Sequence, residues 1–90
     1  MKKTYAVFGL GRYGLAVATE LTAGGAEVLA IDIDDETVTD AAAELPICKC
    51  ADVTDPEVIK RLGIANIDTV IIAIAGNLEA SVMATINYTT

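Results

Sequence analysis

The apolar residues of this 90-residue chain fall into short runs separated by segments of mixed polarity. Runs rich in Val, Ile and Ala are typical of buried strands, and they predict strands at residues 4–10, 27–32, 47–51 and 68–75. The segments between and after them predict helices at residues 12–23, 34–45, 54–63 and 77–86. The chain therefore alternates strand and helix four times.

Local signals support the predicted helices. In the first, Gly14, Val17, Ala18 and Leu21 form one apolar stripe, and the glycine pair at 24–25 ends it. An aspartate, at 34 or 35, caps the second helix, which runs to about residue 45, before a proline. The third opens at residues 54–57, where the sequence fits both an aspartate cap followed by proline and a capping box.

This alternation predicts a parallel sheet with helices on both of its faces, because strand–helix–strand connections are right-handed. If the chain is doubly wound, the strand order is 3-2-1-4. Ligands then bind beyond the carboxyl ends of the strands, where the order reverses between strands 1 and 4. The fourth run, DTVIIAIA, is apolar almost throughout, as in a strand buried on both faces.

A glycine-rich motif, GLGRYG at residues 9–14, stands at the first strand–helix junction. Gly-x-Gly-x-x-Gly alone is weak evidence, but here it follows a strand, opens a helix and lies in a βαβ unit. Gly9 permits the tight turn, Gly11 lets a diphosphate approach the backbone, and Gly14 lets the helix pack closely on the sheet. We therefore predict a Rossmann-like α/β fold that binds a nucleotide; the alternative is that the glycines serve only the turn.

Charged residues near this motif are predicted to bind the rest of the nucleotide. Asp32 ends the second strand, where a carboxylate accepts hydrogen bonds from ribose hydroxyls, and Asp34 takes this role if the strand register differs. Asp32 would repel a 2′-phosphate, which disfavours NADP. Arg12, beside Tyr13 in the variable part of the motif, is placed to clamp phosphates. The alternatives are a turn or capping role for Asp32 and a solvated Arg12.

Three further residues follow predicted strands and are included in the site. Asp52, after the third strand, is predicted to accept a hydrogen bond from the adenine amino group, or else to cap a helix. Ala75 and Gly76 follow the fourth strand, where Gly76 either allows close approach of a ligand or simply turns the chain.

Composition narrows the possible functions. The net charge of −7 argues against binding to nucleic acid or to anionic lipid. The longest apolar run, at residues 70–75, is too short to span a membrane, so we expect a cytoplasmic protein without membrane insertion. The chain has no histidine, and we find no nucleophile, metal-ligand cluster or acid–base pair. Neither a catalytic site nor a metal site is predicted.

The two cysteines, Cys48 and Cys50, are predicted to be small core residues, with a redox role as the alternative. A cytosolic location disfavours a disulfide. The sequence offers no histidine or third cysteine to complete a zinc site.

Four stretches resemble the N-terminal domain of the Trk/Ktr potassium-transport regulators, also called RCK or KTN domains. They are VFGLGRYG, VLAIDIDDETV, CADVTDPEVIKRLGI and DTVIIAIAGNLEASVMAT. The arginine in the glycine loop and the DVTDPEVI stretch ending in LGI distinguish this family from ordinary dehydrogenases. The resemblance covers residues 4–85, nearly the whole chain.

The resemblance implies a regulatory domain and not an enzyme. Such domains bind NAD(H), ATP or ADP and assemble as dimers and rings beneath a potassium transporter or channel, whose gating changes with the ligand. Residue by residue, it implies that the three glycines form the phosphate loop, Arg12 touches the phosphates, Asp32 holds the ribose and Asp52 lies near adenine.

The family domain continues with two more strands and their helices, whereas this sequence stops after the predicted fourth helix. We therefore expect residues 1–90 to form a single domain that is incomplete at its C-terminus. Its fourth strand would be covered by pairing or swapping between chains. Two other functions remain open: an NAD-binding fragment of a dehydrogenase or epimerase, and a structural dimerisation module with a vestigial site. The lack of catalytic residues favours the regulator over the enzyme fragment.

Overall fold

The fold is given by a computed structural model, which describes residues 3–63 and 66–74. The elements in chain order are β1 (Thr4–Phe8), α1 (Arg12–Ala23), β2 (Glu27–Asp32), α2 (Asp35–Ala41), β3 (Cys48–Cys50), α3 (Pro56–Arg61) and β4 (Thr69–Ile72). The strands form one parallel sheet in the order β3-β2-β1-β4. The predicted fold class and strand order are confirmed. The predicted helix at residues 77–86 lies outside the described residues.

The central strands β1 and β2 are largely buried on both faces, because successive side chains of a strand point to opposite sides and both sides are covered. The prediction that the fourth strand is buried on both faces is wrong: Thr69 is exposed and the rest of β4 is half-buried, since β4 ends the described sheet. Ala6 and Phe8 of β1 face one side, with α3, while Val7 faces the other, with α1 and α2. All three are fully buried. The buried residues of the first face are Ala6, Phe8, Ile31, Val53 and Ile59. Those of the second are Val7, Leu10, Ala18, Val28, Ala30, Ala41 and Leu45.

Aspartate caps fix the starts of α2 and α3. The Asp34 carboxylate accepts a hydrogen bond from the Glu36 N–H at 3.2 Å. The Asp55 carboxylate accepts one from the Glu57 N–H at 3.0 Å, with Pro56 in the first turn. Two kinds of N-terminal cap were predicted for α3, and the structure shows the aspartate cap followed by proline.

The prediction that α2 extends to Leu45 is wrong, since the helix ends at Ala41. Pro46 disfavours a helical conformation at Leu45 only, and residues 42–44 already form a turn. The chain tightens instead, and the Glu44 N–H donates to the Ala41 carbonyl three residues back at 3.0 Å. Leu45 then turns its side chain into the core, where it is 3% exposed.

Three strands are also shorter than predicted. β1 ends at Phe8 because Gly9 has a φ of +96°, which leaves the extended region. β4 pairs with β1 over only four residues, from Thr69 to Ile72. β3 pairs with β2 over three. By contrast, α1 and β2 have the predicted limits.

The cysteines do not both lie in the core. Cys48 is half-buried, its thiol lies 3.8 Å from the Leu45 carbonyl, and burial raises its pKa. Cys50 is exposed, and its thiol donates to the Ile33 carbonyl at 3.3 Å. The prediction of a core position is therefore wrong for Cys50, because this residue ends an edge strand and lies over the turn that follows β2.

A side-chain clamp joins the start of β1 to the residue that precedes β4. The Asp68 carboxylate accepts hydrogen bonds from the Thr4 N–H at 3.0 Å and from the Thr4 hydroxyl at 3.2 Å. The Asp68 N–H donates to the same hydroxyl oxygen at 3.0 Å. The hydrogen bond from the Thr4 backbone is the main reason that the pKa of Asp68 is lowered, with the hydroxyl second. The clamp ties together residues 64 positions apart.

Removing this carboxylate should make stability less dependent on acid. Because the folded-state pKa of Asp68 is lowered, its stabilisation is complete above the unfolded pKa of about 3.9 and is lost as the pH falls through the folded value. We expect Asp68→Asn to melt a few degrees below wild type near neutral pH, and the two curves to converge towards about pH 2. Thermal melts followed by circular dichroism measure this, with the exposed Asp40→Asn as control. A difference that stays constant across the pH range would contradict the clamp.

Candidate functional site

A cleft of about 420 Å³ opens at the carboxyl ends of the four strands. Open α/β sheets bind ligands at this edge, and the volume lies in the range of small-ligand sites. The lining residues end or follow the strands; they are Gly9, Gly11, Ile31, Asp32, Ile33, Ala51, Asp52, Val53, Thr54, Ala73 and Ile74. Four predicted site residues, Gly9, Gly11, Asp32 and Asp52, are therefore brought together.

Two glycines make the tight connection between β1 and α1 possible. Gly9 has a positive φ, and a Cβ there would lie 2.6 Å from the Ala73 carbonyl oxygen. Gly14 is buried in the first turn of α1, and a Cβ there would overlap the Gly9 carbonyl oxygen. A side chain at residue 14 would push α1 away from the loop, and one at residue 9 would push the loop away from the chain that follows β4, so these glycines serve the fold.

Gly11 differs because the fold does not require a glycine there. Its φ of −71° is open to any residue, and a Cβ would meet no heavy atom within 4 Å in the described part of the chain. Gly11 lies in the cleft lining. The open space in front of its backbone is where the motif predicts a diphosphate.

The amino terminus of α1 has no cap among the described residues. Gly11 occupies the cap position without a side chain, and the first turn contains no acidic residue. The first hydrogen bond runs from the Leu15 N–H to the Gly11 carbonyl at 2.9 Å. The amides of Arg12, Tyr13 and Gly14 thus have no partner in the described part of the chain. α2 and α3 have both aspartate caps and acidic first turns.

Arg12 and Tyr13 lie at this helix start with exposed side chains, and Tyr13 is 75% exposed. Neither residue is among those that line the cleft in the described part of the chain. Residues 3–63 and 66–74 contain one ion pair, between Lys60 and Glu57 at 4.0 Å. Arg12 therefore has no ionic partner among these residues. Its charge adds to the positive end of the helix.

Asp32 is held in the cleft by two backbone amides. Its Oδ2 accepts a hydrogen bond from the Leu10 N–H at 2.7 Å, and its Oδ1 accepts one from the Asp34 N–H at 2.9 Å. A carboxylate oxygen has two lone pairs, so each oxygen retains one acceptor position. The side chain is half-buried and lines the cleft, where it can accept further hydrogen bonds.

The other predicted residues fall in different places. Asp34 caps α2 and does not line the cleft, so the geometry favours Asp32 over Asp34 as the ribose ligand. Asp52 lines the cleft, and its Oδ1 accepts hydrogen bonds from the N–H and the hydroxyl of Thr54. Ala75 and Gly76 lie outside the described residues.

Sequence reasoning missed the apolar part of the lining, above all Ile33. This side chain is 67% exposed although it directly follows Asp32. In the sequence it is simply an apolar residue after a strand-ending aspartate, and its exposure depends on which elements cover that end of the strand. Val53 and Ile74, also in the lining, resemble ordinary core residues in the sequence.

The described residues contain neither a candidate metal-binding group nor a candidate membrane-spanning helix. They contain no group of three or more His, Cys, Asp or Glu side chains arranged to hold a metal ion. No helix in this part of the chain is long and apolar enough to cross a membrane.

The strand order, the glycine loop and the acidic residue at the end of β2 define a Rossmann-like α/β domain. The model of the TrkA-N domain family matches residues 5–90, and the chain belongs to this family. The predicted resemblance is therefore confirmed.

Two relatives with a similar sequence are named as potassium uptake proteins. The chain is 43% identical over 86 residues to Ktr system potassium uptake protein C of Bacillus subtilis (strain 168), covering 96% of this chain and 39% of the relative. It is 42% identical over 84 residues to Ktr system potassium uptake protein A of Vibrio alginolyticus, covering 93% and 38%. The chain thus spans about two fifths of the length of these relatives.

A solved structure shares the fold. It is the NAD(P)-binding domain of an exopolyphosphatase-related protein from Archaeoglobus fulgidus. The TM-score is 0.85 with 27% sequence identity, and the match covers 94% of this chain and 63% of the other.

Gly14→Ala should destabilise the chain by about 1–3 kcal/mol, because the added methyl group overlaps the Gly9 carbonyl and forces α1 outward. Gly11→Ser is the matched control. It meets open space and supplies a cap, so we expect it to leave stability unchanged or to raise it by a few tenths of a kcal/mol. Urea unfolding followed by circular dichroism measures both. Equal losses in the two variants would contradict the different roles of these glycines.

Proposed function

We propose that the chain binds an adenine nucleotide, NAD(H), ATP or ADP, in the cleft and serves as a regulatory component of a potassium uptake system. The observation that carries this proposal is the uncapped start of α1 at the cleft. In the described part of the chain, α1 is the helix whose first turn lacks both a side-chain cap and an acidic residue.

The phosphates are the part of the ligand that this helix start would bind. Its unpaired amides and the helix dipole, equivalent to about half a positive charge, favour an anion. The exposed guanidinium of Arg12 adds a full charge nearby. In a chain of net charge −7, repulsion over long distances is screened within about 10 Å at 0.1 M salt. Binding then depends on these short-range contacts.

The ribose and base would lie along the ends of β2 and β3. The free acceptor positions of Asp32 suit the ribose hydroxyls, and its negative charge disfavours the 2′-phosphate of NADP. The exposed Ile33 offers an apolar surface for the base, and Asp52 lies in the same lining. We place the adenine on this side of the cleft.

Regulation is proposed from the relatives together with the character of the site. The relatives in Bacillus subtilis and Vibrio alginolyticus are named as Ktr potassium uptake proteins, and the match includes the whole glycine loop. A ligand that binds one conformation of a protein more tightly than another shifts the population towards the first. We propose that nucleotide binding shifts a self-associated form of the protein, at the cytoplasmic side of a membrane transporter, between two such states.

Calorimetric titration of the 90-residue chain with ADP, ATP and NADH tests nucleotide binding. We expect wild type to bind at least one of them and Gly11→Asp to bind none. The aspartate meets open space and caps α1, so stability should be kept, but its charge occupies the phosphate position.

Wild type that binds none of the three would refute the proposed function and favour a structural module with a vestigial site. A folded Gly11→Asp variant with wild-type affinity would show that the nucleotide binds elsewhere.

Discrimination between NADH and NADPH tests the placement of the ribose. We expect NADH to bind about tenfold or more tightly than NADPH, since the Asp32 carboxylate repels the added phosphate. Asp32→Asn should reduce this ratio towards one, whatever it does to the two affinities separately. Competition titrations on both proteins measure the ratio. An unchanged ratio in the variant would place the ribose away from Asp32.

A further inference from the structure

The Asp32 carboxylate connects two segments of the site that are far apart in the sequence. Its Oδ2 binds the Leu10 N–H, 22 positions away in the glycine loop, at 2.7 Å. Its Oδ1 binds the Asp34 N–H in the turn between β2 and α2 at 2.9 Å. One side chain thus holds the loop after β1 and the turn after β2 in a fixed relation.

In the described part of the chain, the Leu10 N–H is the last amide of the loop that donates a hydrogen bond before the unpartnered amides at the start of α1. The Gly9 N–H continues the sheet pairing to the Ile31 carbonyl at 2.8 Å. The Leu10 side chain is 3% exposed, so the adjoining backbone is fixed by packing on one side and by Asp32 on the other. Without the carboxylate, the Leu10 N–H would lose its partner at a partly buried position, which is costly.

We propose that Asp32 is a positioning residue for the phosphate loop, in addition to its proposed contact with ribose. It holds the Leu10 N–H so that the amides at the start of α1 are aligned before a ligand arrives. This inference rests on the proposed function. In this role Asp32 strengthens the binding of phosphate groups indirectly, since its own negatively charged side chain does not contact them.

Inorganic pyrophosphate separates this role from contact with ribose, because it contains no sugar. If Asp32 acted only through the ribose and its charge, replacing it with asparagine would remove a repulsion and pyrophosphate would bind as well or more tightly. If Asp32 positions the loop, the same change disorders the amides and pyrophosphate binds more weakly. The two roles predict effects of opposite sign.

The experiment is a titration of wild type, Asp32→Asn and Asp35→Asn with pyrophosphate, followed by amide NMR, with hydrogen exchange measured before ligand is added. We expect Asp32→Asn to bind pyrophosphate about tenfold more weakly and its Leu10 amide to exchange about tenfold faster, as for the loss of one charge-assisted hydrogen bond. Asp35→Asn removes an equal charge from the exposed first residue of α2, and both quantities should stay within about twofold of wild type.

Pyrophosphate affinity in Asp32→Asn that equals or exceeds that of wild type would overturn the proposal. If Asp32→Asn does not fold, amide hydrogen exchange in the wild-type protein tests the proposal instead. A Leu10 amide that exchanges more slowly than the Arg12 amide supports the proposal, and equal rates overturn it. Failure of wild type to bind any of ADP, ATP and NADH would instead refute the proposed function. A positioning role that fails while one of these nucleotides still binds is therefore distinguishable from that result.

Discussion

The contact between Gly14 and the carbonyl group of Gly9 is the constraint on which the rest of the structure depends. A Cβ at residue 14 would overlap the Gly9 carbonyl oxygen, so α1 lies against the loop only because residue 14 is glycine. Gly9 has a separate role, because a Cβ there would overlap the Ala73 carbonyl oxygen after β4. The connection from β1 to α1 therefore needs only residues 9–11. This short connection brings the start of α1 to the carboxyl edge of the sheet, where the ends of the other strands form the cleft.

The electrostatics of the site follow from that placement. An acidic chain can hold an anion where backbone amides are left without partners. Aspartate caps occupy the corresponding positions in α2 and α3, whereas the cap position of α1 is a glycine. Asp32 faces this positive end from the neighbouring strand and is itself held by two backbone amides. The same few residues thus provide an attractive region for phosphate and an acceptor for the sugar.

The features predicted best from the sequence are those set by residues close together in the chain. The limits of α1 and β2 agree because glycines and a strand-ending aspartate mark them. The strand order followed from right-handed connections in a chain taken to be doubly wound. The end of α2 was missed because the change to three-residue hydrogen bonds after Ala41 has no marker in the sequence, where Pro46 restricts only Leu45. The exposed Cys50 and the position of Ile33 in the cleft depend on which elements cover each strand end, and no local pattern encodes that.

The most direct test of the account is a titration with ADP that follows every backbone amide by NMR. We predict that the largest shifts occur at Gly11, Arg12 and Tyr13, with smaller ones at Asp32 and Ile33, because phosphates bind the helix start and the nucleoside lies along β2. Shifts concentrated at the opposite end of the sheet, around the groove lined by Lys3, Glu20 and Gly24 among others, would contradict the account.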